Sequence, residues 1–243
     1  EGKLIRKAFV PEYDYLISFD YSQIELRVLA HLANVTSLIQ AFNENKDIHR
    51  HTASVVFGVS EDEVTSTMRR NAKAVNFGII YGMSDYGLAE QLGVTVKEAK
   101  SFIEKYFEKY AEIKEYMNKS IAFGKENGYV STVLNRKRYI PEINEKNYMR
   151  QEFGKRLAMN SPIQGSAADI IKLAMIKVDQ LLKENHMKSK MILQVHDELI
   201  FDVYEDELEQ MMKLVQTGME SAYQMTVELK AEGTYAKNWY ELK

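Results

Sequence analysis

Apolar, β-prone segments lie near both ends of this chain, and a long stretch with helical character separates them. Residues 15–20 are predicted to form a buried strand, and residues 190–195 and 198–204 two further strands joined at His196-Asp197. Residues 37–127 are predicted to be almost entirely helical. Because the strands come from opposite ends of the chain, they can share one sheet only if the helical block is inserted beside it. We therefore expect an α+β fold, with a small antiparallel sheet backed by helices and an inserted helical subdomain.

The remaining boundaries follow from capping residues and helix breakers. In the helical block, Ser60 and Thr95 are predicted helix starts, and glycines 58, 82, 93 and 128 are predicted helix ends. The other expected elements are a helix over residues 22–33, a β-hairpin over 129–140, a long helix over 145–184, a helix over 205–222 and a last edge strand over 226–230. Pro162 should kink the long helix or mark a local boundary in it.

The composition excludes several classes of protein. With 243 residues and 45% hydrophobic content, the chain can bury a sizeable core as one large domain or two small ones. It has no cysteine, which excludes disulfides, thiolate metal sites and a cysteine nucleophile. No apolar run reaches membrane-spanning length and the amino terminus has no signal-peptide core, so we expect a cytoplasmic protein rather than a secreted or membrane protein.

The charge balance bears on nucleic-acid binding. The net charge of −3 argues mildly against it, because nucleic-acid-binding domains usually carry a basic excess. Basic residues nevertheless cluster at positions 69–73, 136–138 and 150–156. A surface of this patchy kind can bind a polyanion while the whole molecule stays slightly acidic.

Two acidic groups follow the predicted strands at the two ends of the chain: Asp20 and the pair Asp197-Glu198. An aspartate beside a strand end is most often only a cap or turn former. Neither group has an obvious basic partner in the sequence, however, so if the sheet brings the carboxylates together, their repulsion favours a bound cation. Two Mg²⁺ ions held there could lower the pKa of an attacking hydroxyl and stabilise a leaving oxygen.

The segment Met68–Tyr81 predicts an amphipathic helix. Cations and aromatic rings recur at every fourth position and form one stripe: Arg69, Lys73, Phe77 and Tyr81. Apolar residues fall on the opposite side, which we expect to be buried: Met68, Ala72, Val75 and Ile79. Two cations followed by two rings would fit a nucleoside triphosphate, with its polyphosphate end and its flat base. The alternative is an ordinary amphipathic helix with a solvated basic face.

Two further groups are weaker candidates. His49 could reach a phosphate, although a surface histidine is the expected outcome at such a position. Arg156, Asn160 and Gln164 share one face of the long helix, which suits a sugar-phosphate backbone and base edges but equally a polar solvent face. The sequence contains no Walker-type loop and no G-x-G-x-x-G loop, so side-chain cations are the phosphate-binding groups that remain.

Three segments, taken together, resemble the signature motifs of the bacterial-type family A DNA polymerases: Asp20 through Arg27, Arg69 through Gly82, and Gln194 through Glu198. Their order and spacing match, and the likeness continues through residues 47–49 and 156–169. The resemblance implies a palm-and-fingers fold and templated DNA synthesis in replication and repair. Primer-template DNA and deoxynucleoside triphosphates would be the partners of a monomeric protein.

The resemblance also implies a role for each matching residue. Asp20 and Asp197 would ligate two Mg²⁺ ions with the help of the Tyr21 backbone carbonyl, and Glu198 would support that site. The residues that would touch the primer-template near the growing end are Arg156, Asn160, Gln164 and His196.

The remaining implied roles concern the incoming nucleotide. Arg69 and Lys73 would hold the triphosphate, with Lys73 donating a proton to the pyrophosphate. Gln23 and His49 would lie near that triphosphate. Two rings would line the nascent base pair and one carboxylate would act as the steric gate against a ribose 2′-hydroxyl: Phe77, Tyr81 and Glu25. Phenylalanine rather than tyrosine at position 77 matches family members that discriminate against dideoxynucleotides.

By the same resemblance, residues 1–45 and 129–243 would be the palm and residues 46–128 the fingers. Family members carry a helical thumb before the first motif, which begins here only twenty residues into the chain. We therefore expect the chain to be the fingers and most of the palm, normally continuous with an N-terminal thumb. Two other functions remain open. One is a non-catalytic nucleic-acid-binding fragment, and the other is a two-metal nuclease, which needs the acids but not the helix of cations and rings.

Overall fold

The structure is a computed structural model that describes residues 2–242. Its strands and α-helices are, in chain order, β1 Tyr15–Tyr21, α1 Ile24–Leu32, α2 Thr36–Asn43, α3 Ile48–Phe57, α4 Ser66–Ile80, α5 Asp85–Leu92, α6 Val96–Lys109, α7 Ala111–Asn127, β2 Tyr129–Ser131, β3 Lys137–Tyr139, α8 Tyr148–Glu184, β4 Lys190–Val195, β5 Glu198–Val203, α9 Leu208–Glu220 and β6 Ala231–Ala236. Short 3₁₀ helices lie at Gly2–Ala8, Glu61–Glu63, Pro141–Asn144 and Glu205–Glu207. Among the described residues, no helix is both long enough and apolar enough to cross a membrane.

The chain divides into two compact units. The first comprises the chain up to Ile24 and from Ala167 onward, and it holds the main sheet and α9. The second, Glu25–Ser166, holds helices α2 to α7 and the β2–β3 hairpin. Helices α1 and α8 each have residues in both units.

The sheet of the first unit has the strand order β4-β5-β1-β6, and each neighbouring pair is antiparallel. All of β5 is buried, as are Leu16, Ile17 and Phe19 of β1, so the two central strands need cover. Helix α9 packs against β1 and β6. It also lies close to α8, because a Cβ on Gly218 would come within 2.6 Å of Val178. The predicted antiparallel sheet backed by helices is confirmed.

The prediction for the last strand is wrong in position. Residues 226–230 do not form a strand, and the edge strand is β6, which pairs with β1. Val227 and Leu229 are nonetheless buried, so this segment packs inward without forming a strand. The actual strand places Gly233 opposite Phe19, where a Cβ would lie 2.4 Å from the Phe19 ring. A glycine-bearing segment fits there, and local strand propensity does not report that requirement.

Helix ends in the second unit largely follow the predicted signals. Three glycines with left-handed backbone end α3, α5 and α7: Gly58 (φ 71°), Gly93 (φ 67°) and Gly128 (φ 74°). Thr95 caps α6, and Glu98 completes a capping box. The helix start predicted at Ser60 is wrong, because Ser60 caps only a 3₁₀ turn and α4 begins after Thr65.

Helix α8 continues through Pro162, so the local boundary predicted there is wrong, and the alternative, a kink, stays a prediction. Two hydrogen bonds lie on the C-terminal side of this proline. The Ser166 hydroxyl donates to the Pro162 carbonyl oxygen (2.5 Å), and its oxygen accepts from the Val133 N–H (3.0 Å). Gly165 permits this close approach, since a Cβ there would lie 2.6 Å from Thr132.

Candidate functional site

The two acidic groups from opposite ends of the chain meet at one end of the central strands, and we call this region the acidic edge. Asp20 lies directly opposite Glu198 in the β1–β5 register. The Tyr21 N–H donates a hydrogen bond of 3.2 Å to the Asp197 carbonyl oxygen. Directly paired residues on antiparallel strands lie about 5 Å apart at Cα. Backbone pairing therefore positions both acidic groups.

The hairpin tip at the acidic edge has an uncommon backbone conformation. His196 has φ 55°, in the left-handed region that few non-glycine residues occupy. The Gln194 side-chain amide donates to the His196 carbonyl oxygen. The imidazole of His196 is exposed, and Asp197 beside it is half-buried. The two-residue hairpin predicted from the sequence is confirmed.

The acids of the edge differ in accessibility. Glu198 is 1% exposed and accepts a hydrogen bond of 2.5 Å from the Ser18 hydroxyl, whereas Asp20 and Asp197 are half-buried, with Oδ1 of Asp20 fully covered. On its other side Asp20 lies opposite Glu232 of β6, which is exposed. The register thus places three acids in one row across the sheet.

The acidic edge offers ligands suited to a divalent cation. Mg²⁺ prefers oxygen ligands and keeps sites for water and substrate phosphates. Asp20, Asp197 and the Tyr21 carbonyl supply oxygens of this kind. The Tyr21 side chain takes no part, because its ring is buried and its hydroxyl donates to the Met219 carbonyl oxygen (2.6 Å), and burial raises its pKa. Within residues 2–242, no three side chains of His, Cys, Asp or Glu form a complete metal cage, so an ion would also need oxygens from a substrate or from water.

Gln23 follows the acidic edge directly. Its φ of 48° is left-handed, and the Ser22 hydroxyl donates to its side-chain oxygen at 3.3 Å. The residue is half-buried. This local turn connects β1 to α1.

Helix α4 presents the predicted stripe, which we call the cationic face: Arg69, Lys73, Phe77 and Tyr81. The residues expected on the opposite side pack inward as predicted: Met68, Ala72, Val75 and Ile79. Lys73 and Tyr81 are exposed, and Arg69 and Phe77 are half-buried. The Phe77 and Tyr81 rings are nearly parallel (17°) with centroids 6.4 Å apart, and the His49 ring lies 6.1 Å from Phe77.

One carboxylate organises the start of the cationic face. Asp47 caps α3 by accepting from the N–H groups of His49 (3.0 Å) and Arg50 (3.1 Å), and it forms a 2.6 Å ion pair with Arg69 Nε. Burial alone would raise the pKa of Asp47, but the hydrogen bonds from Arg69 and Arg50 hold it below its usual value. Because Nε is engaged, the terminal nitrogens of Arg69 are left for a ligand.

The expectation that His49 is a surface residue is wrong. It is 2% exposed, and its Nδ1 lies 3.1 Å from the side-chain nitrogen of Asn76. Burial lowers its pKa to about 4, an effect that Asp47 opposes and that Arg69 and Lys73 reinforce. His49 is therefore a neutral, interior group behind the cationic face.

The end of the cationic face is held by two contacts. The Tyr81 hydroxyl donates a hydrogen bond of 2.8 Å to the carboxylate of Glu25, in the first turn of α1. Gly82 has φ 64°, and a Cβ there would lie 2.9 Å from Met159 and 3.0 Å from Arg156. Glycine at this position therefore lets the end of α4 pack closely on α8 beside Arg156.

The polar line on α8 is only partly exposed. Arg156 and Gln164 are exposed, and the Arg156 guanidinium lies 5.9 Å from the centroid of the Phe153 ring. Asn160 is half-buried, and its side-chain oxygen is fully covered. Arg156 and Gln164 can therefore reach an external ligand directly.

Comparison with known proteins decides the family. A sequence model described as DNA polymerase family A matches residues 1–241. The chain belongs to DNA polymerase family A. It is 55% identical to DNA polymerase I of Caldicellulosiruptor bescii over 100% of this chain and 29% of that protein. It is 54% identical to DNA polymerase I of Bacillus subtilis over 100% of this chain and 28% of that protein. The chain thus spans less than a third of the length of these relatives.

A solved structure supports the same family A assignment. The POL domain of Pol1 from M. smegmatis, in complex with DNA primer-template and dNTP, matches with a TM-score of 0.94 and 45% sequence identity. The match covers 99% of this chain and 43% of that chain. The α+β class and the resemblance stated from the three motifs are therefore confirmed.

The family A residues predicted from the sequence lie in two groups, one in each unit. The first unit contains the acids and their neighbours: Asp20, Tyr21, Gln23, His196, Asp197 and Glu198. The second unit contains the cationic face, its partners and the α8 line: Glu25, His49, Arg69, Lys73, Phe77, Tyr81, Arg156, Asn160 and Gln164.

Sequence reasoning missed several polar residues that lie beside these two family A groups: Asp47, Thr52, Asn76 and Glu232. Asp47 carried the signal of a helix cap, but nothing in the sequence linked it to Arg69. Asn76 interrupts the apolar side of α4, and a polar residue at such a position signals a buried hydrogen bond. Glu232 was overlooked because the last strand was predicted at the wrong residues.

Proposed function

We propose that this chain carries the catalytic residues of a DNA-directed DNA polymerase, which adds deoxynucleotides to a primer 3′-hydroxyl in DNA replication and repair. The observation that carries the proposal is the match, at a TM-score of 0.94, to a POL domain bound to DNA primer-template and dNTP. Primer-template DNA and deoxynucleoside triphosphates are the proposed partners of a monomeric, cytoplasmic protein. Residues 1–45 and 129–243 are the proposed palm, and residues 46–128 the proposed fingers.

The acidic edge is the proposed metal site. Asp20 and Asp197, with the Tyr21 carbonyl oxygen, would hold two Mg²⁺ ions, and their partial exposure at the end of paired strands supports this role. When bound, such ions lower the pKa of the attacking hydroxyl and stabilise the leaving oxygen. Glu198 would support the site from the interior, because its carboxylate is buried against Ser18.

The start of the cationic face is the proposed triphosphate site. Arg69 is tethered through Nε to Asp47, which leaves its terminal nitrogens for phosphate oxygens. Lys73 is exposed one turn further along α4, where its ammonium would bind the triphosphate and donate a proton to the departing pyrophosphate. Gln23 and His49 would contribute further contacts to the same triphosphate.

The end of the cationic face is the proposed site of the nascent base pair. Phe77 and Tyr81 present rings on which a base can stack. The Tyr81 hydroxyl holds the Glu25 carboxylate at 2.8 Å. A carboxylate fixed in this way would exclude a ribose 2′-hydroxyl, so Glu25 is the proposed steric gate for deoxynucleotides.

Four residues are the proposed contacts to the primer-template: Arg156, Asn160, Gln164 and His196. Arg156, Gln164 and His196 are exposed, which supports direct contact with sugar-phosphate oxygens or base edges. Asn160 is more enclosed and would contribute at close range.

The test is primer extension by the full-length protein and its Asp197→Ala variant. We expect Mg²⁺-dependent extension by the wild type and a loss of about a thousandfold or more in the variant, since metal ligation accounts for several kcal/mol of the barrier. Primer-template affinity, measured by fluorescence anisotropy, should change little in the variant. DNA binding without any extension would favour the non-catalytic alternative. DNA degradation without synthesis that survives Phe77→Ala would favour a nuclease.

A further inference from the structure

A series of buried polar side chains lies behind the cationic face. Thr52 of α3, Asn76 of α4 and His49 are 0%, 1% and 2% exposed. Thr52 Oγ1 lies 3.1 Å from Asn76 Oδ1, and Asn76 Nδ2 lies 3.1 Å from His49 Nδ1. Burying polar groups costs free energy unless each donor meets an acceptor. Each side chain of this series is therefore expected to act as a defined hydrogen-bond donor or acceptor.

The chemistry of the groups sets the direction of the hydrogen bonds. An amide nitrogen donates and does not accept, so His49 Nδ1 must accept from Asn76 Nδ2. A neutral imidazole that accepts at Nδ1 carries its proton on Nε2. The charged groups around the ring are Asp47, which caps α3, and Arg69 and Lys73 on α4. Burial and the two cations lower the pKa of His49 to about 4, and Asp47 opposes this effect. The neutral form is therefore present at pH 7.

Thr52 decides which end of the Asn76 amide faces the histidine. Its hydroxyl donates to Oδ1, which turns Nδ2 toward His49. In the reverse orientation the amide oxygen would face the ring and force the imidazole proton onto Nδ1. The tautomer of His49 thus depends on a hydroxyl that does not touch the histidine.

We propose that Asn76, oriented by Thr52, is a positioning residue that holds His49 in its Nε2–H tautomer, so that the neutral ring donates a hydrogen bond to the incoming triphosphate. This inference rests on the proposed function. Within residues 2–242, Nε2 of His49 makes no hydrogen bond, so its proton is available to a ligand. A neutral donor binds a phosphate oxygen without adding a third positive charge beside Arg69 and Lys73.

Nitrogen-15 NMR of the full-length protein, labelled at histidine, reads the tautomer directly. At pH 7 we expect His49 to show a protonated Nε2 and an unprotonated Nδ1, with the resonances assigned by their loss in His49→Gln. Thr52→Val keeps the shape of the side chain but removes the hydroxyl, and should yield a mixture of tautomers. A protonated Nδ1 in the wild type would overturn the proposal.

The Asn76→Asp variant supplies a kinetic measurement that would not change if the role of Asn76 were only structural. Aspartate accepts but does not donate, so neutral His49 would be protonated at Nδ1 and lose its Nε2 proton, whereas the imidazolium keeps both protons. The carboxylate also raises the pKa of His49. The KM of the variant for a deoxynucleoside triphosphate should therefore be near the wild-type value below that pKa. Above it, KM should rise by about tenfold, the effect of one hydrogen bond to a charged group, with kcat little changed.

Asn71→Asp is the matched control, because it adds the same charge to α4 outside the hydrogen-bonded series. Its KM should not show the step with pH. The same step in this control, or no step in a folded Asn76→Asp variant, would overturn the proposal. If Asn76→Asp does not fold, an unchanged tautomer and unchanged KM in Thr52→Val would overturn it. A wild-type protein that has the Nε2–H tautomer but never extends a primer would overturn the proposed function, and the triphosphate part of this inference with it.

Discussion

The acidic edge and the cationic face are positioned by different kinds of interaction. At the acidic edge the backbone is responsible: strand register places Asp20 opposite Glu198, and the Tyr21 N–H bonds to the Asp197 carbonyl oxygen. Such positions depend on the ladder of main-chain hydrogen bonds, which most side-chain substitutions leave intact. We therefore expect a substitution of one of these acids to remove its carboxylate function while the backbone position of the residue stays the same.

On the cationic face, side chains position one another. Asp47 binds Arg69, and the Tyr81 hydroxyl binds Glu25. Each long side chain has many rotamers, so removing one partner releases the other. We therefore expect the activity that depends on the cationic face to be sensitive to substitutions of residues that touch no ligand. The activity that depends on the acidic edge should be much less sensitive to such substitutions. The following substitutions test this difference.

The largest effect is expected for Asp20→Asn at the acidic edge. The substitution removes a charge but leaves strand pairing intact, so the extension rate should fall by about a thousandfold while the melting temperature shifts by less than about 5 °C. The matched control is Glu232→Gln, which removes the acid on the other side of Asp20 in the same row. Its rate should stay within about twofold of wild type. Equal losses in the two variants would mean that the edge acts only through its summed charge.

On the cationic face, Lys73→Ala should raise the KM for the nucleotide by about tenfold or more, because a charge-assisted hydrogen bond to phosphate is lost. Arg70→Ala is the matched control, since Arg70 is an exposed cation on the same helix but off the stripe. We expect a change of less than about twofold for this control, because an exposed charge off the binding face contributes little. Steady-state primer extension measures both. Equal effects would contradict the face assignment.

Ser18→Ala tests the interior of the acidic edge. It removes a donor to Glu198, a carboxylate that is 1% exposed, and should lower the free energy of unfolding by about 1–3 kcal/mol. Chemical denaturation gives this value. Because the strand ladder persists, the extension rate should stay within about threefold. A large loss of rate at unchanged stability would mean that Glu198 acts directly on the substrate.

The smallest effect on stability is expected for Asp47→Asn, which keeps a capping side chain on α3 but removes the charge that binds Arg69. The pair is more than a third exposed, so its contribution is less than about 1 kcal/mol. The folded-state pKa of Asp47 is lowered, so this contribution is present above the unfolded pKa and is lost as pH falls through the folded value. Unfolding measured from neutral to acid pH should show the loss in the wild type and not in the variant.

The same substitution should raise the KM for the nucleotide severalfold, because the freed Arg69 fork loses its orientation. An unchanged KM would show that Asp47 does not orient Arg69. Ser18→Ala is expected to affect stability more than the extension rate, and Asp47→Asn is expected to affect KM more than stability. An unchanged KM in Asp47→Asn would remove this difference between the two variants.

The parts of the structure that could be predicted depend on short-range patterns. The cationic face follows from the four-residue spacing of α4, and the acidic hairpin from two strand-like runs around His196-Asp197. The residues that form each pattern lie within a few helical turns or a few strand residues of one another in the sequence. The prediction failed where a distant residue decides the outcome, as for β6, whose position reflects the fit of Gly233 against Phe19.

The candidate site shows the same limit. His49 was expected at the surface, yet the packing of α3 against α4 buries it next to Asn76. The ion pair between Asp47 and Arg69 joins residues 22 positions apart, and neither residue's local context indicates the other.

The sequence by itself determined the class of fold, the two acidic groups, the cationic face and, through three motifs, the family. These depend on residue identity and on spacing along one helix or one hairpin, where backbone geometry alone places the side chains. Only the tertiary structure decided that Asp20 lies opposite Glu198 and Glu232, that His49 is buried and neutral, and that Asp47 contacts Arg69 and Asn76 contacts His49. Those facts depend on which segments, distant in sequence, pack together and exclude water from one another. The packing of the whole chain determines which segments these are.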